Sequence, residues 1–233
     1  MSVFVISEPK WEGLPVSSVR SRLYSRRVLL YAITSRSLLP GPEPERRAAL
    51  VALARCWAAG GVDYIQIREK DLPPEDLLAL SRAVVAAVRE AGPDTRVLVN
   101  GTAEIAIEAG GDGVHLPAAA PAGAAEEARQ VYRKAGREAI VSRACHSLKE
   151  MRTLAGVSLV VFAPVFEKAG EQDSQPGVGL GLLGEACRVA APVPVIALGG
   201  VTAENAAECI AAGAGGVAGI RLFLGDEWRR LRG

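Results

Sequence analysis

The stretch "DYIQIREKDLPPEDLL" (63–78) begins as a buried β-strand and then sets Gln66, Arg68 and Lys70 at every second position. Side chains along a strand alternate between faces, so an amide and two cations share one side, which also carries Tyr64 upstream. Two unpaired cations are too costly to leave in a core, so that side must reach solvent, carboxylates or a bound anion. The neighbouring Glu69 and Asp71 are the local carboxylates that could neutralise them as a purely structural network. The alternative is an anion-binding site.

Working outward, the chain shows seven further apolar runs of strand length: 28–34, 96–100, 112–116, 138–142, 158–164, 193–198 and 215–220. With 62–68 that makes eight. Between them lie amphipathic patterns such as "EPERRAALVALARCWAAG", "PEDLLALSRAVVAAVREAG" and "AENAAECIAAG". The first two carry proline near the start and glycine just past the end, where helices begin and stop. Most of the strand runs are continuously apolar rather than alternating, which implies burial on both faces and hence a parallel sheet. Eight such strands alternating with helices predict an α/β fold, a (β/α)8 TIM barrel over 28–233 preceded by an extension at 1–27. An open doubly wound sheet would place a glycine-rich turn after an early strand, and "YAITSRSLLPGPE" has none.

Composition excludes several function classes. Twenty-seven Lys and Arg against 26 Asp and Glu leave a formal charge of +1, with no footprint for nucleic acid or an anionic membrane. No apolar run has the length of a membrane span. The four cysteines form no C-x-x-C pair and the chain has two histidines, so a cysteine-metal cluster is not expected and a reduced, cytoplasmic thiol set is.

Barrel chemistry sits at the C-terminal ends of the strands. Here those ends present Gln66, Arg68 and Lys70, then Asn100, His115, His146, the Gly199-Gly200 pair, and Gly219, Ile220 and Arg221. The loops after the seventh and eighth strands are where barrels commonly hold phosphate, so "LGGV" and "AGIR" predict a phosphate site. His115, among small or apolar neighbours in "GVHLP", reads as structural. The polar, glycine-rich segment 167–181 has a composition that suits a lid over the mouth and equally a plain flexible connection.

In that order and at those strand ends, "QIREKDL", "VNGTAEIAIEAGGDGVHLP", "ACHSLKEM", "FAPVF" and "IALGGVTAENAAECIAAGAGGVAGI" resemble the thiamine-phosphate synthase/TenI family across roughly 28–224. The resemblance implies a barrel that handles a phosphorylated thiazole, with or without a pyrimidine pyrophosphate. It places Gln66, Arg68, Lys70 and Asn100 on the pyrimidine pyrophosphate, and it sets Arg221 where the synthase has a phosphate-holding Ser, beside the phosphate loops of Gly199, Gly200, Gly219 and Ile220.

The chain departs from the synthase pattern at several positions. Gly101 stands where the family has a magnesium-binding Asp, Pro117-Ala118-Ala119-Ala120 where it has a second carboxylate, Ala144 where it has a Ser, and Lys168-Ala169-Gly170-Glu171 where it has a Thr-x-Thr-Lys loop. TenI-type members instead tautomerise a thiazole carboxylate phosphate with a His as proton carrier, and His146 falls on that position. A histidine moves a carbon-bound proton without a metal.

The leading expectation is therefore a metal-independent thiazole tautomerase with His146 as general base. One alternative is thiamine-phosphate synthase with an altered magnesium site, drawing on Glu171 or Asp173. Another is a non-catalytic phosphate-ligand binding or regulatory barrel. Expected partners are small phosphorylated molecules, neither nucleic acid nor membrane, with room for a homo-oligomer.

Overall fold

A computed structural model describes residues 27–167 and 176–232. The extension expected over 1–27, apart from Arg27, lies outside the described residues, as does most of the segment 167–181 with Glu171 and Asp173. Eight parallel strands close into a barrel in chain order: β1 (Leu29–Ile33), β2 (Tyr64–Ile67), β3 (Arg96–Val99), β4 (Gly113–Leu116), β5 (Ile140–Cys145), β6 (Leu159–Phe162), β7 (Val195–Ala197) and β8 (Gly216–Gly219). Each overlaps one of the apolar runs, although β5 continues past 142 to Cys145, and β8 pairs back onto β1 through Leu29 and Gly216.

The continuous hydrophobicity of these strands reflects two apolar shells. In β1, Leu30 and Ala32 face outward and pack with Ile65, Ile67, Val97 and Val99 under the helices. Tyr31 and Ile33 face inward and meet Leu98, Leu159, Val161, Ile196 and Ala218 in the barrel interior. Around the barrel run α1 (Glu43–Ala59), α2 (Pro74–Ala91), α3 (Ala103–Glu108), α4 (Ala124–Lys134), α5 (Gly179–Ala190) and α6 (Ala206–Ala211). Acidic residues occupy the first turns of α1, α2 and α4, and Arg133 with Lys134 end α4, in agreement with the helix dipole.

The repeat is not uniform. Between β5 and β6 the described chain forms only a 3-10 turn, Glu150–Arg152, and after β8 it forms two 3-10 segments, Arg221–Phe223 and Glu227–Arg232, instead of a full helix. The last segment packs Trp228 beside Phe223, whose carbonyl accepts the Trp57 indole N–H at 2.8 Å. At the N-terminal face, a side chain ahead of one strand caps the amide of the strand before it. Asp63 accepts from Leu30 (2.7 Å), Asp112 from Val97 (2.7 Å) and Ser158 from Val141 (3.0 Å). That face is thus tied for stability, leaving the opposite end free to carry a site. Among the described residues, no helix is long and apolar enough to cross a membrane.

Candidate active site

The C-terminal mouth opens into a cavity of ≈ 880 Å³. Its walls bring together Gln66, Arg68, Lys70, Asn100, His115, His146, Gly199 and Ile220, so side chains spread over most of the sequence converge on one space.

The opening stretch divides as alternation predicts, although the strand itself stops at Ile67. Beyond it, backbone pairing is replaced by a side-chain clamp. Thr34 Oγ1 accepts the Arg68 amide at 2.9 Å and donates to Glu69 at 2.6 Å. Arg36, only 7% exposed, reaches Glu69 at 2.9 Å, Asp71 at 2.6 Å and Glu43 at 2.7 Å. These carboxylates hold the Arg36 guanidinium well above its already high ordinary pKa, Asp71 most strongly. Glu69 and Asp71 are therefore spent on Arg36, and the purely structural network considered for the two cations is not formed. Among the described residues, no carboxylate forms an ion pair with Arg68 or Lys70.

Gln66 is the other anomaly. It points into the barrel at a level where its register partners are Ile33 and Leu98, and it is 1% exposed. Neither its amide nitrogen nor its oxygen has a hydrogen-bond partner. An unmade hydrogen bond on a buried amide costs about 1–3 kcal/mol, so the barrel maintains a polar group at the cavity for which it has no internal partner.

His146 follows β5 and is exposed to the mouth. Its amide donates to Glu150 at 2.5 Å, and its ring Nδ1 lies 2.7 Å from the Ala163 carbonyl. A carbonyl only accepts, so Nδ1 carries a proton, and in the neutral ring Nε2 keeps its lone pair. These contacts to Glu150 and a backbone carbonyl are those of a strand-end histidine with a purely structural role, yet the residue also lines the cavity.

His115 is buried, as a structural histidine would be, and it has polar partners in space that its sequence neighbours do not show. Its Nδ1 meets the hydroxyls of Ser142 (2.8 Å) and Tyr31 (3.4 Å). Burial, followed by the nearby charges of Arg68 and Lys70, pushes its pKa down to about 4, so the ring is neutral at physiological pH.

The expected phosphate end is only partly assembled at the cavity. Gly199 and Ile220 line it, whereas Gly200, Gly219 and Arg221 do not. Gly199 and Gly200 have φ of 95° and 63°, values that favour glycine. A Cβ at Gly199 would come within 2.6 Å of Pro164 Cα, and one at Gly200 within 2.7 Å of the Glu167 carbonyl. The glycine pair is thus required by close packing of the loops after β6 and β7, a reason distinct from approach to an anion. Arg221 is exposed and opens a single 3-10 turn, with no helix N-terminus behind it.

The residues present do not fit the two-carboxylate magnesium site that the synthase pattern implies. Gly101 and Ala118–Ala120 offer no carboxylate, Glu69 is held by Thr34 and Arg36, and the described residues contain no group of three or more His, Cys, Asp or Glu placed to hold a metal.

A closed parallel barrel with a cation-rimmed cavity at its C-terminal mouth defines a class of small-molecule barrel enzymes. Within that class, residues 30–223 match the sequence model of the family described as thiamine monophosphate synthase, and the chain belongs to that family. It is 40% identical over 179 residues to a protein of Methanoculleus marisnigri named thiamine-phosphate synthase, covering 75% of this chain and 80% of that one. A Methanoregula boonei protein of the same name is 35% identical, covering 86% of this chain and 87% of its own. Among solved structures, thiamine phosphate pyrophosphorylase from Pyrococcus furiosus superposes with a TM-score of 0.69 at 24% identity, covering 89% of this chain and 93% of that one, a likeness of fold.

Proposed function

We propose that the protein joins a pyrimidine pyrophosphate to a thiazole phosphate, releasing pyrophosphate and forming thiamine phosphate. The names of its relatives favour this reaction over the tautomerisation that the departures from the synthase pattern put first. The observation that carries the reading is the pairing pattern at 66–71. The local carboxylates are turned onto Arg36, while Arg68 and Lys70 are kept for a ligand at the cavity wall.

The chemistry follows from those groups. A diphosphate held by the Arg68 fork and the Lys70 ammonium becomes a better leaving group, because both cations stabilise the charge that develops as the carbon–oxygen bond breaks. The thiazole nitrogen supplies the electron pair for the new carbon–nitrogen bond, and pyrophosphate departs with the pair from the broken one. Asn100 adds an amide at the same rim, and buried Gln66 offers a donor and an acceptor to the edge of the pyrimidine ring. Since the described residues provide no carboxylate pair for magnesium, this reading assigns the neutralising role to the two cations.

One observation favours the second reading, a thiazole tautomerase. His146 is oriented by Ala163 so that Nε2 of the neutral ring is a base at the mouth. A single set of assays separates the two. Purified protein is given both substrates with and without Mg²⁺, and separately the thiazole carboxylate phosphate tautomer. Thiamine phosphate is expected in the first. Its absence under both metal conditions, with conversion of the tautomer lost in His146→Ala, would replace the synthase reading by the tautomerase.

A further inference from the structure

Below the cationic rim, three buried polar groups form a closed set. His115 on β4 and Ser142 on β5 are register partners, and Tyr31 on β1 reaches them through the barrel interior. Ser142 Oγ lies 2.8 Å from His115 Nδ1 and 3.0 Å from the Tyr31 hydroxyl, with Tyr31 and Ser142 both 0% exposed. Each hydroxyl carries one proton that needs an acceptor, and neither has another side-chain partner among the described residues.

The proton count selects one tautomer. If Nδ1 were protonated, it would donate to one hydroxyl, the two hydroxyls would share one bond between them, and one hydroxyl proton would have no acceptor in a site sealed from water. If Nδ1 is unprotonated, Tyr31 donates to Ser142, Ser142 donates to His115, and both hydroxyl protons are accepted. The ring proton is then on Nε2, the other polar atom of a residue that lines the cavity. Burial and the flanking Arg68 and Lys70 keep the ring uncharged.

We propose that Tyr31 and Ser142 are positioning residues that lock His115 as its Nε2–H tautomer, so that the cavity floor presents a fixed neutral hydrogen-bond donor to an acceptor atom of an uncharged heterocycle. The rim then takes the anion and the floor takes the ring. The choice of a ring as ligand rests on the reading proposed above; the tautomer does not.

The test begins with ¹⁵N-labelled, ligand-free protein at neutral pH. The chain has two histidines, so His146→Gln leaves a single imidazole to assign. Long-range ¹H–¹⁵N correlation is expected to show His115 with Nε2 protonated and Nδ1 bare. In Tyr31→Phe/Ser142→Ala, which removes both hydroxyls, the two tautomers should mix. The KM for the pyrimidine substrate should then rise about 3–10-fold with little change in kcat. Ser142→Thr, which keeps a hydroxyl, should restore the single tautomer. A protonated Nδ1 in the protein with Tyr31 and Ser142 intact overturns the lock whether or not the protein makes thiamine phosphate. A correct tautomer with an unchanged KM in the double variant overturns the donor's part in recognition.

Discussion

Arg36 and Glu69 form an ion pair at 2.9 Å with side chains only 7% and 3% exposed, and that pair decides which face of the β2 end is free to bind. Glu69 also accepts from Thr34, whose hydroxyl oxygen accepts the Arg68 amide, so the backbone carrying Arg68 is anchored through the same carboxylate. Breaking a buried pair from one side leaves an uncompensated charge, which costs about 3–5 kcal/mol. Arg36→Ala should therefore lower the urea midpoint by a corresponding amount. Arg36→Met/Glu69→Gln should recover much of the loss, because neither charge is then stranded. Equal losses in the single and double variants would show that the pair is not what holds the mouth.

Gln66 predicts an unusual trade. Its buried amide has no internal partner and its register partner on β3 is Leu98, so Gln66→Leu should fit the interior and raise stability by about 1–3 kcal/mol in the ligand-free protein. Affinity for the pyrimidine substrate should fall in the same variant. Thermal denaturation and calorimetric titration read the two effects separately. A destabilised Gln66→Leu would mean that the amide is satisfied within the barrel.

Arg68 and Lys70 have no carboxylate partner among the described residues, so their loss should be felt by ligand and not by fold. Arg68→Ala should weaken binding of inorganic pyrophosphate about 10–100-fold, as expected for a charge-assisted contact. Urea stability should stay within about 0.5 kcal/mol. Lys70→Ala should act in the same direction, with the remaining affinity less sensitive to salt. Unchanged pyrophosphate binding in both variants would remove the central support for the proposed reaction.

The barrel was legible from sequence because both faces of each strand are apolar: the run 28–34 contains β1, and 96–100 contains β3, with little ambiguity at either end. The row Gln66, Arg68, Lys70 was legible for the same geometric reason, and Asn100 and His146 came from strand-end position together with family resemblance. The clamp was not, because Arg36 sits in "SRSLL" with no periodic signal and its partners Glu69 and Asp71 lie 33 and 35 residues away. The polar set around His115 was hidden because Tyr31 and Ser142 each read as ordinary interior strand residues, and only barrel closure brings β1 against β4 and β5. The glycine pair after β7 was legible as a close-approach turn, but its packing against Pro164 and Glu167 was not, since that depends on a neighbouring loop.

His115 should also leave a mark on the pH dependence of stability. Its folded pKa is depressed from the ordinary 6.5 to about 4, chiefly by burial and then by Arg68 and Lys70. Above pH 6.5 the ring is neutral in both folded and unfolded chains, and it contributes no pH dependence. As pH falls from 6.5 towards 4, the unfolded chain takes up a proton that the folded one refuses, so stability declines across that window. Below pH 4 both states are protonated and this contribution levels off. At 1.36 kcal/mol for each pKa unit, the loss from this residue amounts to roughly 3 kcal/mol. Urea denaturation at pH 7 and pH 4.5 should therefore show a steeper drop in the parent protein than in His115→Gln, whose amide does not titrate. Parallel drops in the two proteins would place the His115 pKa near its ordinary value and contradict the sealed environment formed by Tyr31 and Ser142.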